Sequence, residues 1–299
     1  MRDVFFKEIY KFAKSNKDIV LLAPDFSAPS FDMFRTELDS QFINTGISEQ
    51  NTALVAAGMA MNGKKVFVAA ISAFLTMRCY EQVRLYAADM KLDIKLIGIG
   101  AGVSYNKTGV THHNVEDIAI MRALPNMQIL LPCTNNQTAE FAKLCCDDNL
   151  PAYVRLDRVN LPEYYENGFN YSEKGYEILK PLTEKVVIAI GYTVQIAMNV
   201  AKKLCCGVVD LYKLPIDEQT FIQDFANVKQ IIIIEEHIKR GGIGSYICEV
   251  CADNNLKPNI KRFGLDLSDG LYHKYGTRDE MLEDCGLSSE YIANEVLKI

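Results

Sequence analysis

Five polar residues in the first half of the chain follow short apolar runs, and their side chains could move protons or bind anions. They are two carboxylates, two adjacent histidines and an arginine: Asp25, Glu49, His112, His113 and Arg158. An imidazole exchanges protons near neutral pH, and the planar guanidinium of arginine suits phosphate. The sequence therefore offers groups for proton transfer and anion binding, provided that the fold brings the ends of these runs together.

Glu49 lies in the most informative segment, QFINTGISEQNTALVAAGMAMNG at residues 41–63. This segment predicts a strand, a turn at Gly46, an acid at the start of a helix, and a helix rich in alanine and glycine. The helix dipole stabilises a carboxylate in the first turn, so Glu49 could also serve only as a helix-start charge. The residue types alone leave both interpretations open.

Short β-branched runs alternate with longer amphipathic stretches along the chain. The runs are DIVLLAP, KKVFVAAI, IKLIGIGAG, MQILLPC and AYVRLD in the first half, then KVVIAIG, GVVDLY and QIIIIEEH. This alternation predicts an α/β fold with mostly parallel sheets covered by helices. Runs as apolar as IIII predict sheets buried on both faces, and ligands of such folds gather at the carboxyl ends of the strands.

A polar and aromatic segment, NLPEYYENGFNYSEKGYEILKPLTE at residues 160–184, separates the two halves. It has prolines near both ends and no clear apolar period, which is typical of a linker. A chain of 299 residues is long enough for two domains. We therefore predict domains at residues 1–170 and 171–299.

The composition excludes several classes of protein. Hydrophobic residues make up 49% and charged residues 23%, as in soluble globular proteins. A net charge of −6 without a basic block argues against nucleic acid or a membrane surface as partner. No apolar run could span a bilayer, and the first residues lack the features of a signal peptide, so we expect a cytoplasmic protein.

The cysteines fit free thiols better than disulfides or a metal site. Their number is nine, an odd count that includes two adjacent pairs, which is normal for a reducing compartment. Cys248 and Cys251 form one CxxC, with no second pair and no nearby histidine. We predict no metal site in this chain.

The string GISEQN followed by TALVAAGMAMNG resembles the pyrimidine-binding domain of transketolases and of 1-deoxyxylulose-5-phosphate synthases. The resemblance continues through SAFLTMRCYEQVR, GAGVSYNKTGVTHHNVEDIAIMRALPNMQILLPC and YVRLDRVNLP, and covers nearly all of residues 1–165. EEHIKRGGIG, RFGLDLSDG and GLSSEYI extend it as the transketolase C-terminal domain. It implies a pyrimidine domain of the thiamine-diphosphate-binding fold, a smaller α/β domain, and transfer of a two-carbon ketol unit between sugars or sugar derivatives.

The resemblance implies that Glu49 activates thiamine diphosphate. The family's carboxyl at this position hydrogen-bonds N1′ of the aminopyrimidine, which helps the coenzyme to lose the proton from C2. That bond needs a protonated or proton-sharing carboxyl, so we expect burial to raise the pKa of Glu49. Phe74 and Tyr80 match aromatic residues of the cofactor pocket, with core packing as the alternative, and we assign Asp25 to the same pocket.

The resemblance also implies substrate contacts. His112 matches a histidine that contacts substrate hydroxyls or carbonyl and can shuttle protons. His113 is a second candidate, although two neighbours on a loop point to different sides. Arg158 matches an arginine that binds the phosphate of sugar phosphates, with Arg155 close by; one of the two could instead pair with Asp157.

Two departures from the family affect the expected substrate. Many relatives have a histidine and an aspartate where this chain has Gly100 and Thr108. Both family residues handle donor hydroxyls, so ordinary ketose-phosphate specificity is in doubt. A different sugar, with a deoxy position or carried on a nucleotide, would agree with the change.

Transketolases hold the diphosphate through Mg²⁺ on a domain with a Gly-Asp-Gly turn, and no such string occurs here. We therefore expect a separate diphosphate-binding subunit that holds most of the Mg²⁺ contacts, in an α2β2 assembly that self-associates through the pyrimidine domain. Small residues on the helix after Glu49 would allow this close contact. Two alternatives stay open: the beta subunit of a 2-oxoacid dehydrogenase, and a silent partner that scaffolds or regulates a transketolase.

Overall fold

The structure, a computed structural model, describes residues 1–165, 168–268 and 270–298. Contacts between residues divide the chain into two units. The first comprises Met1–Ala101 and Ile120–Tyr171, and the second comprises Gly102–Ala119 and the chain from Ser172 onward.

Helices and strands alternate through residue 156. The helices are α1 (Arg2–Ser15), α2 (Asp32–Glu37), α3 (Glu49–Met61), α4 (Tyr80–Gln82), α5 (Asp117–Met121) and α6 (Asn135–Asp147). The strands are β1 (Ile19–Ala23), β2 (Phe42–Asn44), β3 (Lys65–Ile71), β4 (Ile94–Ile99), β5 (Gln128–Leu130) and β6 (Ala152–Leu156). Short 3-10 turns lie at Pro29–Phe31 and Asp39–Gln41, and π-helical segments at Phe74–Arg78 and Val83–Asp89.

The sheet of the first unit is parallel and lies in the order β5-β6-β4-β3-β1-β2. Strands β1, β4 and β6 are buried along their whole length, because their apolar side chains face helices on both sides. Helix α1 contributes to this cover with four buried residues: Phe5, Phe6, Ile9 and Ala13.

The second unit repeats this arrangement. Its elements are β7 (Tyr176–Lys180), β8 (Lys185–Ala189), α7 (Thr193–Leu204), β9 (Gly207–Leu211), β10 (Lys213–Leu214), α8 (Glu218–Phe225), β11 (Gln230–Ile238), α9 (Ile243–Asp253), β12 (Asn259–Leu265), α10 (Arg278–Asp284) and α11 (Ser289–Leu297). Five strands lie in the order β12-β11-β8-β9-β7, and only the β7–β9 pair is antiparallel. The predicted fold class, two mostly parallel sheets covered by helices, is confirmed.

The segment Gly102–Ala119 is fixed to the second unit by a buried acid. The Val103 N–H donates to Oε1 of Glu236 at 2.8 Å, and Arg278 Nε donates to the same oxygen at 3.0 Å. At Gly102, φ is +58° and a Cβ atom would lie 2.3 Å from Cδ of Glu236. Only glycine fits there, since any side chain would collide with the carboxyl group.

Within residues 1–165, 168–268 and 270–298, no helix combines the length and the apolar character that crossing a membrane would need.

Candidate functional site

Several predicted site residues lie at one edge of the first unit's sheet. Asp25 follows β1, Phe74 follows β3, Arg158 follows β6, and Glu49 begins the helix after β2. Because all these strands are parallel, their carboxyl ends lie along the same edge. The structure therefore brings four of the seven predicted site residues to the edge where ligands of such folds bind.

Asn44 shapes the turn that leads to Glu49, and no local sequence pattern marks it. Its Oδ1 accepts hydrogen bonds from the N–H of Asp25 at 3.1 Å and from the N–H of Gly46 at 2.9 Å. Gly46 has φ +74°, a conformation that favours glycine. One side chain thus holds the ends of two neighbouring strands in place.

Glu49 is a buried carboxylate with an arginine beside it. The residue is 8% exposed, and its Oε1 accepts a hydrogen bond from Nη1 of Arg78 at 3.0 Å. A buried carboxylate is costly unless it is paired and hydrogen-bonded. Arg78 supplies both the charge and the hydrogen bond.

The same guanidinium lies over the ring of Phe74. Its Cζ is 3.6 Å from the ring centroid, which is a close cation–π contact. Sequence reasoning missed Arg78. The available signal was its position four residues after Phe74, because residues four apart on a helix lie on the same face.

Cys79 and Tyr80, which follow Arg78, have ionisable groups whose pKa is raised by burial. Burial raises the pKa of the Cys79 thiol to about 12, and the negative charge of Glu49 adds to the effect. Burial likewise raises the pKa of Tyr80, whose O–H donates to the carbonyl of Ile120 at 2.8 Å. The Tyr80 hydroxyl is therefore engaged by the main chain, which leaves the ring as the part that could meet a ligand.

His112 and His113 lie in the segment that belongs to the second unit, and they differ in exposure. His112 is half-buried, with Nδ1 at 2.9 Å from Oγ1 of Thr111. His113 is only 6% exposed, and burial lowers its pKa, with a smaller effect from His112. In the part of the chain that the structure describes, Nε2 of His113 is buried without a hydrogen-bond partner. Of the two imidazoles, His112 is the more accessible.

The arginines near the end of β6 also differ in exposure. Arg155 and Asp157 are buried, whereas Arg158 is exposed. Asp157 Oδ1 accepts the N–H of Val159 at 3.1 Å, which fixes the turn after the strand. Arg158 is thus the arginine of this pair whose side chain can reach a ligand in solution.

Gly100 and Thr108 lie at quite different kinds of position. Gly100 follows β4 with φ +104°, and its N–H donates to Leu156 O at 2.9 Å. Thr108 lies exposed in the turn before Gly109. Among residues 1–165, 168–268 and 270–298, no group of three or more His, Cys, Asp or Glu side chains could hold a metal ion.

Comparison with known proteins identifies the family. Residues 1–163 match the family described as transketolase, pyrimidine binding domain, and residues 175–292 match transketolase, C-terminal domain. This chain belongs to the transketolase family. The resemblance found in the sequence is therefore confirmed.

Individual transketolase relatives match at two different lengths. An apulose-4-phosphate transketolase subunit of Phocaeicola vulgatus is 32% identical over 99% of this chain and 96% of its own length. A solved split gene transketolase, described as an inactive beta4 tetramer, has a TM-score of 0.88 with 29% identity and covers 99% of this chain and 97% of its own. The transketolase of Campylobacter jejuni shares the fold, with a TM-score of 0.80 at 19% identity, but this chain covers only 46% of it.

Proposed function

We propose that this chain is the pyrimidine-binding subunit of a split transketolase that transfers a two-carbon ketol unit between sugars or sugar derivatives. The observation that carries the proposal is the arrangement of Glu49 and Phe74 around one small space. A buried carboxyl at a helix start and an aromatic ring face the same flat group, the Arg78 guanidinium. An aminopyrimidine is also flat and carries a ring nitrogen for the carboxyl, so these residues fit that half of thiamine diphosphate.

Seven residues of the chain have a defined part in this proposal. Thiamine diphosphate, when bound, supplies the nucleophilic carbon and the electron sink. Glu49 holds a proton at N1′ of the aminopyrimidine, and Phe74 orients the ring by stacking. Tyr80 and Asp25 line the same pocket. His112, with His113 beside it, exchanges protons with substrate oxygens, and Arg158 binds the substrate phosphate.

We propose a pyrimidine-binding domain at residues 1–170 and a C-terminal domain at residues 171–299. A separate subunit binds the diphosphate and holds Mg²⁺, and the active form is a cytoplasmic α2β2 assembly. Two comparisons support this division: single-chain transketolases such as that of C. jejuni are about twice as long, and a split gene relative is described as an inactive beta4 tetramer. This chain alone is then inactive.

A modified sugar, with a deoxy position or carried on a nucleotide, is the substrate that we propose. One relative is named for apulose-4-phosphate, and this chain has Gly100 and Thr108 at the two positions where many transketolases handle donor hydroxyls.

Turnover of ketose phosphates by the assembled enzyme, without turnover of pyruvate, would separate a transketolase from a 2-oxoacid dehydrogenase subunit. Turnover of neither, together with no coenzyme binding, would favour a silent partner.

Glu49→Gln tests the central residue. The amide keeps the size of the side chain but cannot share its proton, so we expect turnover of the assembled enzyme to fall by about 10²- to 10⁴-fold. Glu81→Gln, at an exposed glutamate on α4, serves as the matched control and is expected to leave turnover unchanged. Gel filtration and circular dichroism would verify that both variants fold. Near-normal turnover by Glu49→Gln would contradict the proposed function.

A further inference from the structure

The Arg78 guanidinium contacts both residues that the proposed function assigns to the aminopyrimidine. It donates to Oε1 of Glu49 at 3.0 Å, and its Cζ lies 3.6 Å from the centroid of Phe74. A guanidinium is planar and rich in N–H donors, so it can satisfy an acid and stack on a ring together. The aminopyrimidine of the coenzyme is expected to make the same two contacts.

We propose that Arg78 takes the place of the aminopyrimidine in the coenzyme-free chain, and that the ring binds only after the guanidinium has left. This inference rests on the proposed function of Glu49 and Phe74. At 3.6 Å the guanidinium already lies in van der Waals contact with one face of Phe74, so a second flat group cannot stack on that face. The guanidinium and the ring therefore exclude each other.

The hydrogen bond of Glu49 points the same way. Oε1 of Glu49 already accepts a hydrogen bond from Nη1 of Arg78. The proposed hydrogen bond to N1′ uses the same carboxyl group. Departure of Arg78 thus vacates the stacking face and also frees this oxygen for the ring.

Arg78 has a way out that leaves the fold intact. Its side chain is 48% exposed, whereas that of Glu49 is 9% exposed. Its main-chain carbonyl accepts a hydrogen bond from Nε2 of Gln50 at 2.9 Å, which fixes the backbone. The change is therefore a rotation of one side chain toward water, without movement of the helical segment.

This competition lowers the apparent affinity for the ring, since only the fraction of chains with Arg78 turned away can bind it. A partly exposed ion pair and a cation–π contact together correspond to about a tenfold reduction in affinity. Removal of the guanidinium should therefore raise the affinity for the ring by about tenfold.

The test uses the full chain alone and the pyrimidine half of the coenzyme, 4-amino-5-hydroxymethyl-2-methylpyrimidine. Arg78→Met keeps the apolar stem but removes the charge and the planar head. We expect it to bind this probe about tenfold more tightly than the natural chain in an NMR titration. Arg84→Met, at an exposed arginine on the next helical segment, is the matched control and should leave the affinity unchanged.

A second measurement follows the side chain itself. In chain labelled with ¹⁵N-arginine, saturating probe should move the Arg78 Nε resonance away from its position beside the Phe74 ring. The gain from Arg78→Met should also shrink in a Glu49→Gln background, because the guanidinium then has no carboxylate to hold it.

Unchanged or weaker binding by Arg78→Met, or no binding by either chain, would overturn the inference. Its failure is distinguishable from failure of the proposed function. If Glu49→Gln abolishes turnover of the assembled enzyme while Arg78→Met does not tighten probe binding, the function stands and the displacement of Arg78 is wrong. If Glu49→Gln leaves turnover intact, the function itself is wrong.

Discussion

Glu49, Phe74 and Arg78 each limit what the other two side chains can do. The carboxylate requires a partner because it is buried, and the arginine meets this need while lying on the ring. A substitution at any of the three therefore changes the surroundings of the other two. The effect of a single variant on turnover or binding therefore includes its effect on the other two residues.

Phe74→Leu should weaken coenzyme binding without unfolding the chain. Leucine keeps an apolar side chain but lacks the flat face, and loss of an aromatic stack corresponds to about a twofold to tenfold loss in affinity. Equilibrium dialysis of thiamine diphosphate against the assembled enzyme would measure it. Phe12→Leu, at a half-buried phenylalanine of α1, is the control. Equal affinities for the natural chain and Phe74→Leu would argue against stacking.

His113 should make the second unit sensitive to acid. Burial lowers its pKa in the folded chain, whereas the unfolded chain takes up the proton near the ordinary value of 6.5. Between these two pKa values the unfolded state binds more protons, so the free energy of unfolding falls as the pH drops below about 6.5. Urea denaturation from pH 7 to pH 5 should show this loss.

His113→Gln should flatten that pH dependence, because the glutamine cannot titrate. His273→Gln, at an exposed histidine, should keep the slope of the natural chain. An identical slope for the natural chain and His113→Gln would rule out His113 as the cause.

The position of Glu49 at a helix start could be predicted because its signal is local. The turn and helix start at Glu49 follow from GISEQN, and the structure begins α3 at that residue. Arg78 was missed because an arginine four residues after a phenylalanine is common on helices. Its significance comes from contact with Glu49, 29 positions away.

At the level of elements, the apolar runs predicted the strands well. All eight named runs contain a strand. Continuous β-branched and apolar runs are typical of strands in parallel sheets that are buried on both faces. The π-helical turn at Phe74–Arg78 was not predicted, because a π turn differs from an α turn in hydrogen-bond spacing rather than in composition.

Gly102→Ala should destabilise the packing of the segment Gly102–Ala119 against Glu236. The new methyl group would meet the Glu236 carboxyl at 2.3 Å in addition to the strain of a positive φ. Gly63→Ala is a matched control for strain alone, because φ there is +85° and nothing lies within 4 Å. We expect the destabilisation at Gly102 to exceed that at Gly63 by about 1 to 3 kcal/mol, measured by urea denaturation. Equal losses of stability for the two variants would show that the Glu236 side chain moves aside without an energetic cost.

At the level of the whole molecule, several large apolar side chains are exposed in the turn before α3, along α3 and in the helical segments after β3. They include Ile47, Leu54, Met61, Met77 and Leu85. Large apolar side chains exposed on the same few elements are candidates for a surface that another chain covers. This location agrees with the proposed association through the pyrimidine domain.

Leu54→Glu should therefore weaken assembly, because a charge would be buried in the contact. Light scattering of the mixed subunits should show a smaller mass than for the natural chain. Leu150→Glu is the control, since Leu150 is also exposed but precedes β6, at the opposite end of the strands. Full assembly with Leu54→Glu would exclude this surface.

The grouping of His112 and His113 with the second unit could not be predicted from local patterns. It depends on contacts between residues far apart in the chain, such as Val103 with Glu236. The family, by contrast, was recognisable because its long irregular strings extend through both halves.

Because Arg78 pairs with Glu49, this buried carboxylate has a countercharge from the chain itself and does not depend on a ligand for one. Under the proposed function, a bound coenzyme would add stability to a subunit that already folds without it. The supply of the vitamin would then determine when the protein works, while coenzyme binding would only lengthen the lifetime that the free subunit already has.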